Sequence, residues 1–321
     1  MKFFNPSSRH HTSVVQAWQI FLLISLILPC LALSSKAADM PKGAESQFAQ
    51  VNGIRLHYVK MGEGPLLILL HGWPQTWYEW HKVMPALATK FTVVAPDLRG
   101  LGPSEKTQTG YDKHTIANDI AALIKHLGER SAIVVGHDMG GKIAYVLSLL
   151  QPELVTKLIL VDCMPPGAEN MDPRKGGMWH YGFHMAAEFP EMLTKGRERE
   201  YISAQMTSWL HQKDAITQDA LDEYAKYYAS PGGMTAGFNY YRALFDDAKF
   251  LAPYADRKFP MPVLTIAGRY GVSDNLFKAM TQKATNLKGV IAEQSGHFVP
   301  EEAPGFLTEQ ILKFAQVDKR M

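Results

Sequence analysis

The stretch Ile133-Val134-Val135-Gly136-His137-Asp138-Met139-Gly140-Gly141 sets one acidic residue among glycines where a buried-strand pattern gives way to a helical one. An elbow of the form G-x-X-x-G holds its central side chain on a tight, strained turn, which only small neighbours permit. The side chain presented here is Asp138. Aspartate also suits a helix N-cap, but a cap alone has no need of the flanking glycines.

On either side of the elbow lie short apolar runs suited to burial on both faces: Leu66 to Leu70, Phe91 to Ala95, Ala132 to Val135 and Leu158 to Val161. Between them, Trp77 to Ala88, Thr115 to Leu127 and Gly141 to Leu150 repeat their apolar residues at three and four positions, as amphipathic helices do. Further upstream, Phe48 to Val51 and Ile54 to Lys60 flank Asn52-Gly53, a pair that accepts positive φ and predicts an antiparallel hairpin. This alternation predicts an α/β fold with a mostly parallel, doubly wound sheet, reactive groups gathering at the carboxyl ends of its strands.

The alternation stops at Met164. From there to about Ala255 the chain is rich in aromatic residues, Met, His and helix formers, Ala215 to Tyr228 among them, with no clear strand. Strand character returns at Pro262 to Ala267 and Val290 to Glu293, and an amphipathic run from Pro304 to Gln316 follows. The expected organisation is a core of residues 39–163 and 256–321 with a helical cap, residues 164–255, over the strand ends.

At 321 residues, with 46% hydrophobic and 20% charged, the chain can bury a full core. Lys and Arg number 33 against 31 Asp and Glu, so the formal charge of +2 provides no dense cationic field for a phosphate backbone and argues against nucleic acid as a partner. Residues 1–38 read differently: Lys2 and Arg9 precede an apolar run from Trp18 to Leu33, and Ser34-Ser35-Lys36-Ala37-Ala38 follow it. That order predicts a cleaved secretory signal, a secreted or periplasmic product, and no stable membrane anchor after cleavage. Cys30 would leave with the signal, so Cys163 alone would remain and no internal disulfide could form.

A carboxylate nucleophile changes the reaction class, because an ester formed on the enzyme's own side chain suits attack at saturated carbon. Epoxides and alkyl halides become the natural substrates. Ser295-Gly296-His297-Phe298 follows the last strand, and of the 12 histidines His297 has this strand-to-loop setting. Its imidazole would activate the water that cleaves the ester, since an ionised carboxylate needs no base.

Elbow, insertion and His297 loop together resemble the epoxide hydrolase and dehalogenase branch of the α/β hydrolases, over essentially all of the mature chain. His71-Gly72-Trp73-Pro74 is similar to the H-G-x-P signature of epoxide hydrolases, in which the peptide before proline is usually cis. The resemblance implies an α/β-hydrolase fold with a helical cap, and conversion of an epoxide to a vicinal diol through an alkyl-Asp138 ester hydrolysed by His297-activated water. It implies a small-molecule epoxide as partner, no cofactor and no metal, and it leaves a homodimer open.

Residue by residue, the backbone N–H groups of Trp73 and Met139 would form the oxyanion hole. Asp162 ends the strand after the elbow helix, the slot that fluoroacetate dehalogenases and Cif-like epoxide hydrolases use for the acid behind the histidine. Other members place that acid after the next strand, where three residues beyond Gly268 this chain has Gly271, and Asp274 is the alternative acid. Asn239-Tyr240-Tyr241-Arg242 resembles the cap motif whose tyrosine binds the epoxide, and Trp179-His180-Tyr181 the Cif-like variant in which histidine replaces a second tyrosine. Tyr241 and His180 are the implied acids for the epoxide oxygen. His180, His184 and Glu188 also recur every four residues and could line one helical face as metal ligands, although a carboxylate mechanism needs none.

Gln75 to His81 and Phe238 to Leu244 point to the secreted Cif-like group, from which Pro74 is a departure. Met139 stands where haloalkane dehalogenases carry a halide-binding tryptophan, and Met139 and Lys142 stand where fluoroacetate dehalogenases carry arginines. Haloacid or haloalkane dehalogenation is the alternative activity. A non-catalytic ligand-binding or effector protein on the same fold is the alternative of another class.

Overall fold

A computed structural model describes residues 40–315 apart from 171, 176 and 177. The signal-peptide expectation falls outside the described residues. The chain opens with β1 (Glu45–Val51) and β2 (Ile54–Met61), paired antiparallel with Val51 opposite Ile54. Asn52 and Gly53 join them with φ of 44° and 80°, the two positive values a tight hairpin turn demands.

The sheet continues with β3 (Leu66–Leu70), β4 (Thr92–Pro96), β5 (Ala132–His137), β6 (Val155–Val161), β7 (Val263–Gly268) and β8 (Leu287–Ala292). Its order is β1-β2-β4-β3-β5-β6-β7-β8. β2 runs antiparallel to both neighbours, and every pair from β4 onward is parallel. Every residue of β3, β5 and β7 is buried, which is why these strands read as continuous apolar runs. Each buried Leu, Ile or Val there contributes roughly 1.5–3 kcal/mol of transfer free energy.

Helices α1 (Met84–Leu87), α2 (Lys113–His126) and α3 (Asp138–Leu150) connect the first strands. The expected helix from Trp77 to Ala88 is instead a short 3-10 turn, Trp77–Trp80, followed by α1. Pro85 explains the break: its ring has no N–H to donate and would collide with the carbonyl four residues earlier, so it is tolerated only in a first turn.

Between β6 and β7 the described residues hold helices and no strand: α4 (Trp179–Met185), α5 (Phe189–Thr194), α6 (Glu198–Trp209), α7 (Gln218–Tyr228), α8 (Gly233–Arg242) and α9 (Leu244–Leu251). α7 starts later than the apolar pattern from Ala215 suggests, because the Thr217 side chain accepts the Ala220 N–H and caps it. After β7 come α10 (Asp274–Met280), α11 (Val299–Glu302) and α12 (Pro304–Ala315). Among the described residues no helix is long and apolar enough to cross a membrane.

Buried polar contacts seat the cap. Lys113 of α2 reaches Asp247 of α9 at 2.9 Å and donates to the Tyr240 carbonyl at 2.6 Å. Tyr228 donates to the Gln75 carbonyl, and the Trp73 indole to Gln205 of α6, each at 3.0 Å. Glu302 ties the end of α6 to the loop after β8: its carboxylate accepts the N–H groups of His211 and Gln212 on one side and of Gly296 and Phe298 on the other, at 2.8–3.1 Å. The His297 N–H donates across the same seam to the Trp209 carbonyl at 3.2 Å.

Candidate active site

Asp138 is the first residue of α3 and has φ of 46°, a left-handed conformation that costs a non-glycine residue about 1–3 kcal/mol and is held by its surroundings. Gly140 allows the close approach that holds it: a Cβ there would lie 2.2 Å from the Leu70 carbonyl oxygen at the end of β3. The Trp73 N–H donates to Asp138 Oδ2 at 2.9 Å, beside the cis Trp73–Pro74 peptide. Met139, in the first turn of α3, has no acceptor four residues back for its N–H within the helix. Burial opposes ionisation of Asp138, but the charges of His297, His137 and Lys142 and the Trp73 N–H outweigh it and hold the carboxyl below its ordinary value.

His297 follows β8 and faces two carboxylates. Its Nε2 lies 3.8 Å from Asp138 Oδ1, and its Nδ1 is 2.7 Å from Asp162 Oδ2. Asp162 is fully buried at the end of β6, where its Oδ1 also accepts the N–H groups of Gly268 and Val272 at 2.8 and 3.1 Å. Asp274 is elsewhere: it opens α10, is 58% exposed, and approaches Arg269 only to 3.9 Å. Asp162, and not Asp274, is thus the carboxylate in contact with His297. Gly271 shows why the usual slot is empty of side chain, since a Cβ there would lie 2.4 Å from both Asp162 carboxylate oxygens.

Behind the base lies a pair that the sequence reading passed over. His137, directly before the nucleophile, bonds the His297 carbonyl through Nε2 at 2.9 Å and meets Glu79 at 3.1 Å through Nδ1. Burial disfavours the imidazolium, yet the Glu79 carboxylate, helped by Asp138 and Asp162, raises its pKa to about 9. Glu79 also accepts the Gly72 N–H at 2.9 Å, linking the oxyanion loop to the base loop. The available signal was Glu79 itself, an acidic residue within the aromatic Gln75 to His81 segment.

A cavity of about 940 Å³ opens over this group, its lining including Asp138, His297, His180, Tyr181, Trp209 and Lys142. His180 Nδ1 is buried and has no hydrogen-bond partner among the described residues. Burial pulls the His180 pKa down to about 4 against the opposing pull of Asp138, leaving a neutral imidazole. Tyr241 is 1% exposed, with its ring 5.6 Å from that of His180 and 5.4 Å from that of Tyr181. Burial, and then the Asp138 charge, push its hydroxyl well above 10, and burial pushes that of Tyr181 to about 12, so both keep their protons.

The metal alternative loses its helical face. α4 ends at Met185, Glu188 lies beyond it with φ of 64°, and His184 Nε2 is taken by the Tyr201 hydroxyl at 2.6 Å. Among the described residues no three His, Cys, Asp or Glu side chains are grouped to hold a metal ion.

The sheet order, the strained elbow and the carboxylate–imidazole–carboxylate line define an alpha/beta hydrolase; residues 65–304 match the alpha/beta hydrolase fold family, and the chain belongs to it. Within that family it is 38% identical to the soluble epoxide hydrolase of Corynebacterium sp. (strain C12), over 83% of this chain and 95% of that one. Among solved structures it resembles the epoxide hydrolase CorEH, with a TM-score of 0.78 and 36% identity over 84% of this chain and 98% of the other. It also resembles Cfl2 of Burkholderia cenocepacia, with a TM-score of 0.81 and 33% identity over 85% of this chain and 96% of the other.

Proposed function

We propose that the protein is an epoxide hydrolase that makes a vicinal diol through a covalent ester on Asp138. The observation that carries this reading is the division of labour around one carboxylate. The charges and the Trp73 N–H around Asp138 keep its carboxyl below the ordinary value, so it needs no base to take its proton, and His297, 3.8 Å away and backed by Asp162, is placed to activate water. Similarity to a soluble epoxide hydrolase at 38% identity supports it.

In the first half-reaction an Asp138 oxygen attacks a ring carbon and the C–O bond breaks. The oxygen leaves as an alkoxide and takes a proton from the cap, where Tyr241 and His180 are the donors. Both sense the Asp138 charge and both carry an X–H group at neutral pH. In the second, His297 removes a proton from water, hydroxide adds to the ester carbonyl, and the Trp73 and Met139 N–H groups receive the negative charge. Collapse of the adduct expels the second oxygen of the diol, which takes the proton of the new Asp138 carboxyl, and the proton held by His297 returns through solvent to the cap donor, so that Asp138, His297 and the donor are all restored.

Dehalogenation is served poorly. The Trp73 indole N–H is bound to Gln205, Met139 brings no donor side chain, and Lys142 is paired with Glu169. Aliphatic and aromatic epoxides should therefore give diol, while haloacetates and haloalkanes release no halide. Tyr241→Phe and His180→Ala should each slow single-turnover alkylation by about 10²-fold or more with folding intact. Halide release in place of diol refutes the reaction class, and full alkylation in both variants removes this acid pair.

The basic, apolar and small-residue order of residues 1–38 supports export through a cleaved signal, as in the Cif-like group. Protein recovered outside the cytoplasm should begin near Ala38 or Asp39, and one that still starts at Met1 contradicts the reading.

A further inference from the structure

Lys142 lies one helical turn after the nucleophile on α3, is 2% exposed, and lines the same cavity. Its ammonium donates to the Met164 carbonyl at 2.8 Å and is clasped by the carboxylate of Glu169. Glu169 belongs to the loop that enters the cap, its side chain is 4% exposed, and its other oxygen accepts the Gly167 N–H at 2.7 Å. Burial opposes the ammonium, but Glu169 outweighs it with help from Asp138, so the lysine stays charged.

A buried ion pair is weak as a stability device, since apolar residues of similar volume often serve as well or better. This one is set in the wall of a reaction cavity, where its effect on ligands is direct. An unpaired buried ammonium attracts carboxylates strongly, whereas a paired one has little left to offer. Lys213 also lines the cavity, but it is exposed and bonded to the Thr207 and Leu210 carbonyls, so solvent and salt screen its charge.

We infer that Glu169 is a specificity residue that cancels Lys142, so that the cavity takes uncharged epoxides and turns away those bearing a carboxylate near the ring. A carboxylated ligand in this cavity meets the negative Asp138 and Glu169 with no free ammonium to receive it. The inference rests on the epoxide reading for the identity of the substrate. The charge filter itself is a binding property.

Two measurements separate the filter from the reaction. Calorimetry with phenylacetate and its uncharged analogue phenylacetamide reads the filter without turnover. Glu169→Gln should bind phenylacetate at least about tenfold more tightly than the wild type, by exposing a charge-assisted hydrogen bond. The double variant Lys142→Met, Glu169→Gln should lose that gain, and phenylacetamide should not distinguish the three proteins. In wild-type protein, which needs no folding control, an epoxide carrying a carboxylate should turn over with a kcat/KM at least about tenfold below that of its methyl ester. No gain in Glu169→Gln, a gain that survives loss of Lys142, or equal kcat/KM for acid and ester overturns the filter. If no epoxide yields diol, the proposed reaction is what fails, and the calorimetry still decides the filter.

Discussion

His297→Ala protein mixed with an epoxide should gain the full mass of the substrate on Asp138 and release almost no diol. The first half-reaction does not need the imidazole as a base: the His297 charge is lost in the variant, but the His137 and Lys142 charges and the Trp73 N–H still favour an ionised Asp138. Ester hydrolysis does use it, and loss of a positioned general base slows such a step by about 10²–10⁴-fold. Alkylation then outruns hydrolysis and the adduct accumulates, to be located by peptide mapping. Asp138→Asn should show neither adduct nor prompt turnover. In ¹⁸O water, the first turnover of the wild type should give a diol carrying unlabelled oxygen from the carboxylate, since water attacks the ester carbonyl. Direct transfer of ¹⁸O to the diol with no adduct in His297→Ala would mean that water opens the ring, and Asp138 would lose its role as nucleophile.

Asp162→Asn should slow hydrolysis of the ester by about 10⁴-fold, the loss typical of an amide placed behind a catalytic histidine. The amide cannot supply the negative charge that would orient Nδ1–H and stabilise the imidazolium, the part for which the Asp162 carboxylate is placed at 2.7 Å. The adduct should accumulate here too, because alkylation precedes the step that fails. Asp274→Asn should leave the rate nearly unchanged, as Asp274 is exposed and its 3.9 Å approach to Arg269 is screened by solvent. The reverse pattern, with Asp274→Asn crippled and Asp162→Asn active, would return the role to the later acid.

The sequence carried the frame where local chemistry decides it. Asn52-Gly53 specifies its own turn, Leu66 to Leu70 has the composition of a strand buried on both faces, and the elbow glycines leave room that nothing larger could share. Where a single residue overrides a periodic pattern the boundary moves, as at Pro85 and Thr217. The partners of buried charges were beyond such reading. Lys142 finds Glu169, His137 finds Glu79 and Glu302 finds Gly296 only once the chain has folded, and no spacing encodes those meetings. Asp162 and Asp274 were alike as aspartates following strands. The space around Gly271 tells them apart, and that space is tertiary.

The Glu302 carboxylate has a consequence for recombination between relatives. Its acceptors gather the amides of His211 and Gln212 with those of Gly296 and Phe298, so a stretch of the cap and the loop bearing the histidine share a single fastening. A chimera that exchanges residues 164–255 as a cassette would bring a foreign backbone to a carboxylate fitted to the native one. The heritable unit is thus larger than the helical insertion. Segments 209–212 and 294–302 must come from one parent, and crossover points that respect this pairing are those at which a new cap can arrive without loosening the base beneath it.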